Sequence, residues 1–179
     1  MSDNFIHQLV DTHYQGGLVL ETGCGSTRLR DMFDEYIGID LPQSGHIIEN
    51  NTSVFADACH LPFDKDIFDF ALTIGALYMF DDPGRACREI YRCLRPGGKY
   101  LVIDYTVDVK INALKKNLDK GIDRTFHFWK GNELGDLLRY SGFIDSDRQY
   151  VSLKSKLLSK LRCGIVDRRD TWLIYTAIK

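Results

Sequence analysis

The stretch Val19-Leu20-Glu21-Thr22-Gly23-Cys24-Gly25-Ser26-Thr27-Arg28-Leu29 decides the fold. A short apolar run, Leu18 to Leu20, leads into a carboxylate and then into a turn with glycines at 23 and 25. Glycine lets the backbone bend tightly and come close to a ligand. An apolar run of this length, without polar alternation, suits a strand buried on both faces, as in a parallel sheet. Four further apolar runs follow the same plan: Tyr36 to Ile39 ends at Asp40, Ser53 to Ala56 at Asp57, Phe68 to Ile74 at Gly75, and Tyr100 to Ile103 at Asp104. Ligands of open parallel sheets bind outside the carboxyl ends of the strands. The pattern therefore aims Glu21, Asp40, Asp57, Asp104 and the Gly75 turn at one crevice.

Helices are expected between the strands. Phe5 to His13 reads as a short amphipathic helix. Asp82-Pro83 opens a helix over Gly84 to Leu94, with Asp as cap and Pro in the first turn, and Arg95-Pro96-Gly97-Gly98 turns the chain into the fifth strand. Asn132 to Tyr140 reads as a helix stopped by Gly142, Ser155 to Cys163 as a basic amphipathic helix, and Asp147 to Leu153 and Thr171 to Ile178 as a terminal strand pair. The crossover from Leu41 to Thr52 is short and polar. No repeat and no linker divides the chain. The expected architecture is a single α/β domain over 1–179, a three-layer sandwich around a mostly parallel sheet with a C-terminal antiparallel strand.

Composition agrees. The chain has 179 residues, 44% of them hydrophobic, enough for a core that needs no disulfide or metal support. Five cysteines, an odd number without CxxC spacing, point to reduced thiols and no zinc site. The longest apolar run, Phe70 to Phe80, is too short to cross a bilayer, and the first residues have no signal-peptide pattern. A soluble cytoplasmic protein is expected. The net charge of −2 hides an asymmetry: 15 acidic and 5 basic side chains in residues 1–90, 10 and 18 in the rest. A basic half can steer an anionic ligand.

Taken in order, VLETGCGSTRL (Val19 to Leu29), YIGIDLP (Tyr36 to Pro42), FADACHLPF (Phe55 to Phe63), FDFALTIGALYMFDDP (Phe68 to Pro83) and EIYRCLRPGGKYLVID (Glu89 to Asp104) resemble the successive motifs of class I S-adenosylmethionine-dependent methyltransferases, in particular the small-molecule enzymes of the ubiquinone/menaquinone type. The resemblance implies a Rossmann-like fold and S-adenosyl-L-methionine as cofactor, with S-adenosyl-L-homocysteine as product. It implies that Glu21, Gly23, Cys24 and Gly25 shape the loop around the methionine part. Asp40 would take the ribose hydroxyls and Leu41 would pack on adenine. Asp57 would accept from the adenine amino group with Ala58 and Cys59 nearby, and Ile74 and Gly75 would wall the sulfonium. Thr27 stands where the family usually has a third glycine.

Methyl transfer needs a base only for a nucleophile with a tightly held proton. Asp104, His127 and Tyr78 are the candidates. Tyr78, Tyr105, Phe126, His127 and Trp129 are candidates for an acceptor pocket under a lid formed by residues 106–130. The acceptor implied is a small molecule, anionic or lipid-like. Nucleic acid is not favoured: Gly75-Ala76-Leu77-Tyr78 stands where a nucleic-acid enzyme of this class would carry Asp/Asn-Pro-Pro-Tyr/Phe. The alternatives retained are nucleic-acid methylation and a cofactor-binding protein without transfer activity.

Overall fold

The computed structural model describes residues 4–25, 29–42, 52–106, 129, 132–152 and 171–179. Seven strands form one sheet: β1 (Leu18–Thr22), β2 (Glu35–Asp40), β3 (Ser53–Phe55), β4 (Phe68–Ile74), β5 (Leu94–Thr106), β6 (Ile144–Ser152) and β7 (Thr171–Ile178). Their spatial order is β3-β2-β1-β4-β5-β7-β6. β1 to β5 pair in parallel, and β7 runs antiparallel to both β5 and β6. The order reverses at β1, whose two neighbours are β2 and β4, so the crevice above β1 lies where connections leave to opposite sides.

Alternation along β1 separates two cores. Val19 faces α1 (Asn4–His13), together with Leu9, Val10, Tyr36, Phe70, Leu72, Leu101 and Ile103. Leu20 faces the other layer, where α2 (Pro83–Cys93) presents Ala86, Cys87, Ile90 and Cys93 and α3 (Glu133–Tyr140) presents Leu134 and Leu138. The three-layer sandwich and the C-terminal antiparallel strand are as expected. Among the described residues of the connection from β1 to β2, helical structure is confined to one 3-10 turn, Arg30–Met32. No helix among the described residues is long and apolar enough to cross a membrane.

The start of α2 follows its sequence. The Asp82 carboxylate accepts from the Arg85 N–H at 2.8 Å, and Pro83 occupies the first turn, where a missing N–H costs nothing. Its end differs. The helix stops at Cys93, and Leu94 already pairs with Phe68 of β4. The Arg95 to Gly98 segment is thus part of β5, accommodated where the ladder shifts register between Phe68 and Phe70. Gly98 is required there, since a Cβ would lie 2.9 Å from the Arg95 carbonyl. β6 begins at Ile144, three residues before the expected start. The basic segments Lys110 to Lys120 and Ser155 to Cys163, and the lid apart from Thr106 and Trp129, lie outside the described residues.

α3 packs directly on β7 through Gly135, where a Cβ would stand 2.9 Å from the ring and hydroxyl of buried Tyr175. Alanine has the better helix propensity by about 1 kcal/mol, but overpacking a buried contact costs about 1–3 kcal/mol. Gly135→Ala is therefore expected to lower stability by about 1 kcal/mol. A denaturation midpoint at or above wild type would show that Tyr175 yields freely.

Candidate active site

The carboxyl end of β1 is a turn built on backbone geometry. Gly23 and Gly25 have φ of +70° and +54°, the region that favours glycine. The N–H groups of Gly23 and Cys24 both donate to the Ile39 carbonyl, at 2.9 and 3.0 Å. The turn also touches the loop after β4, because a Cβ on Gly23 would lie 2.4 Å from the Cβ of Ala76. Gly75, at φ +59°, donates its N–H to Ile103 at 2.7 Å and brings that loop inward.

Asp40 ends β2 and ties the turn to it. One carboxylate oxygen accepts from the Gly25 N–H at 2.9 Å and the other from the Leu41 N–H at 2.8 Å. A carboxylate with two accepting oxygens is the group type that a ribose diol would require. Asp57 follows β3 and is half exposed. It accepts from the Cys59 N–H at 2.8 Å and contacts His60 Nδ1 at 3.1 Å. Partial burial raises its pKa, but these bonds outweigh it and hold the carboxyl below its ordinary value. The Ala56 N–H donates to the Asp40 carbonyl at 3.0 Å, so the two acids are linked through adjoining strand ends.

Glu21 does not point into the crevice as a solvated strand-end acid. β1 runs on to Thr22, and the Glu21 side chain is buried on the α1 face. The Tyr36 hydroxyl donates to it at 2.5 Å. Burial pushes the Glu21 carboxyl up to about 7; the Tyr36 bond opposes this and the neighbouring Asp40 adds to it. Tyr36 is raised in turn, by burial and by Glu21. Cys24, also buried, has its thiol pushed up to about 12 by burial beside Glu21 and Asp40, so it is a packing group and not a nucleophile. Cys59 is similarly raised to about 11, mainly by burial.

Asp104 departs further. β5 continues two residues past it, and the carboxylate is fully buried on the α2 face, accepting from Trp129 Nε1 at 2.8 Å. Its burial with Trp129 removes it from the group of crevice acids, and Trp129 is a core side chain, not an exposed pocket wall. The four expected acids therefore separate: Asp40 and Asp57 remain partly exposed at the β2 and β3 ends, while Glu21 and Asp104 are buried on opposite faces of the sheet. Tyr78 sits partly buried in a 3-10 turn, Leu77–Met79, after β4. Ile74 packs against the α1-side core. Leu41 is partly buried beside Asp40, and Ala58 and Cys59 are buried after Asp57. Phe126 and His127 lie outside the described residues, as does the Tyr105 side chain.

Sequence reasoning missed Tyr36, which reads as a core aromatic. The signal was Gly38, two residues on and on the same face. A Cβ there would lie 2.8 Å from the Tyr36 hydroxyl and 2.9 Å from Cys24 Sγ. The missing side chain is what lets the phenol reach Glu21 from the neighbouring strand.

Residues 20–102 match the family model described as a methyltransferase domain. Phthiotriol/phenolphthiotriol dimycocerosates methyltransferase of Mycobacterium tuberculosis is 33% identical over 116 residues, 58% of this chain and 43% of that protein. The ubiquinone/menaquinone biosynthesis C-methyltransferase of Pectobacterium carotovorum is 32% identical over 92 residues, 51% of this chain and 34% of that protein. The matches thus span less than half the length of these relatives. A phosphoethanolamine N-methyltransferase of Haemonchus contortus, solved with phosphomonomethylethanolamine and S-adenosylhomocysteine, has a TM-score of 0.73 at 18% identity, covering 99% of this chain and 53% of its own; the likeness is one of fold.

The buried Glu21 generates a prediction. Its folded value of about 7 exceeds the ordinary 4.5. Below pH 4.5 both states hold the proton and the contribution to stability is complete. As pH rises towards 7 the unfolded chain loses its proton first, and folding loses on the order of 3 kcal/mol. Glu21→Gln removes this group from the titration. Urea midpoints measured from pH 4.5 to 8 should fall more steeply for wild type than for the variant, and parallel curves would refute the assignment. The domain match over residues 20–102 covers a little under half of the chain, and the sheet order places the whole in the fold that the solved methyltransferase shares.

Proposed function

We propose that the protein transfers a methyl group from S-adenosylmethionine to a small-molecule or lipid-like acceptor. The observation that carries this reading is Asp40, whose carboxylate closes the glycine turn after β1 through the Gly25 N–H and takes the Leu41 N–H at the end of β2. The residues present fit the cofactor. Asp40 would receive the ribose hydroxyls, Leu41 and Cys59 would flank the adenine, and Asp57 would accept from its amino group. Gly23 and Gly25 leave backbone-level space for the methionine part, and Glu21 with Tyr36 supports the turn from behind. When bound, the cofactor supplies an electrophilic methyl group and leaves as a neutral thioether.

What remains for the protein is orientation and exclusion of water. The loop after β4, with Gly75, Ala76 and Tyr78, borders the methyl position and is pinned to the β1 turn by the Gly23–Ala76 contact. Asp104 as a base would require Trp129 to withdraw from it, since the carboxylate now accepts the indole N–H. Tyr78 and His127 remain the other candidates. A lipid-like acceptor is supported by the mycobacterial relative, named for action on dimycocerosates, and by the second, named for quinone biosynthesis. An anionic group on the acceptor accords with the basic second half of the chain. The four described cysteines, all buried and outside disulfides, favour a reducing, cytoplasmic setting.

Calorimetry with S-adenosylhomocysteine tests cofactor binding, and release of that product in the presence of quinol and lipid-phenol acceptors tests turnover. Asp40→Ala should weaken binding by about 1.5–3 kcal/mol, the range for charge-assisted hydrogen bonds. NAD should not compete, because Arg28 stands where the dinucleotide fingerprint needs its last glycine. Unchanged affinity in the variant, or displacement by micromolar NAD, would contradict the placement of the ribose at Asp40.

A further inference from the structure

Two residues of the EIYRCLRPGG stretch remain without a role in the site, Glu89 and Arg92. They lie one helical turn apart on α2, and together they grip the loop that follows Asp57. Arg92 meets Glu89 side on, with Nε donating to Oε1 at 2.9 Å and Nη2 to Oε2 at 2.8 Å. The same guanidinium donates to two backbone carbonyls of the loop, Phe63 from Nη1 at 2.7 Å and Leu61 from Nη2 at 3.1 Å. The same Glu89 Oε2 accepts the Leu61 N–H at 3.0 Å. The loop's main chain is thus held by both its donor and its acceptor at residue 61, and again at 63. A planar guanidinium with several fixed donors can do this; an ammonium cannot.

The grip begins only four residues after Asp57. Between them the chain is stiff. Asp57 closes a turn onto the Cys59 N–H, its carbonyl accepts the His60 N–H at 2.9 Å, and the Cys59 thiol reaches the Asp82 carbonyl at the start of α2 at 3.3 Å. Leu61 is buried beneath. The loop is therefore fixed to α2 at its first turn and at its middle. The pair is itself well matched electrically: Arg92 lowers the Glu89 pKa, and Glu89 raises that of Arg92.

We infer that Glu89 and Arg92 are positioning residues for adenine recognition: by clamping residues 61 and 63 to α2 they fix the Asp57 carboxylate where it distinguishes a 6-amino purine from a 6-oxo purine. This rests on the proposed placement of the cofactor's adenine at Asp57. Neither residue touches the cofactor in this account. The clamp sets only where the Asp57 loop sits, so losing it blurs base selection without disturbing the ribose contacts at Asp40 or the chemistry at the sulfur.

The test is the ratio of dissociation constants for S-adenosylhomocysteine and S-inosylhomocysteine, which differ at the 6-substituent of the base and, with it, in the proton on N1. It is measured by calorimetry on wild type, Asp57→Ala, Arg92→Lys and Glu89→Gln. Wild type should favour the amino form about tenfold, the value of one hydrogen bond of about 1.4 kcal/mol. Arg92→Lys keeps the charge but loses the fork, and Glu89→Gln loses one of the two Arg92 bonds and the charge behind them, because an amide has one accepting oxygen where the carboxylate has two. Both should reduce the ratio to about twofold, as Asp57→Ala does, and in turnover they should raise the cofactor KM with little change in kcat. A purely structural role would weaken both ligands alike and leave the ratio at ten, which overturns the inference while the cofactor reading stands. Equal binding of the two ligands by wild type overturns both the role of Asp57 and the clamp, and failure of wild type to bind S-adenosylhomocysteine overturns the functional reading itself. Should Arg92→Lys fail to fold, Glu89→Gln decides on the same ratio.

Discussion

The hydrogen bond from Tyr36 to Glu21 is the constraint on which the cofactor edge of the sheet depends. A carboxyl group buried between strands without a partner would cost several kcal/mol, or would remain protonated well above its ordinary range. The phenol reduces that cost, but it reaches Glu21 only because Gly38 has no side chain. Gly38 likewise admits the Cys24 thiol, and Cys24 must be small because it lies between the β1 turn and β2. The turn is in turn closed by Asp40, two residues beyond Gly38 on the same face. Positions 21, 24, 36, 38 and 40 therefore form one interdependent set, and changing any of them shifts the ground under the others.

Much of this was legible in the sequence because it rests on local chemistry. Apolar runs of three to seven residues ending in an acid or glycine located the parallel strands; β4 and β7 have the expected bounds. The Asp82-Pro83 start of α2 was legible for the same reason, since capping is decided within four residues. What was not legible depends on contacts across the fold. Nothing within the Arg95 to Gly98 segment shows that β5 starts at Leu94, because that follows from pairing with Phe68 of β4. Glu21 and Asp104 were read as strand-end acids facing one crevice, and both strands continue past them. Whether a carboxylate near a strand end meets solvent or an indole depends on a residue such as Trp129, twenty-five positions away.

The sheet also separates duties between its two faces. On the α1 face, Glu21, Tyr36 and Cys24 set the electrostatics behind the first turn. On the other face, Thr22 contacts Thr73 at 2.5 Å and Thr73 contacts Tyr100 at 2.8 Å, so three central strands are joined by a buried row of hydroxyls beneath α2. These bonds are internal and fully satisfied, which holds β1, β4 and β5 in one lateral register. The loops after β1 and β4 then inherit a fixed separation, expressed in the close approach of Gly23 to Ala76.

Charge gives this arrangement a direction. The acids that line the proposed cofactor site, Asp40 and Asp57, both belong to the first half of the chain, where acidic side chains outnumber basic ones three to one. S-adenosylmethionine carries a sulfonium and an ammonium, and its product retains only the ammonium. In the proposed reaction, transfer would remove one positive charge from beside Asp40 and Asp57, and the electrostatic part of the binding energy would fall with it. Under the proposed function, Asp40 and Asp57 would therefore favour the methyl-bearing form over the spent one and so assist exchange of product for fresh cofactor, with residues placed at the ends of β2 and β3 by the fold itself.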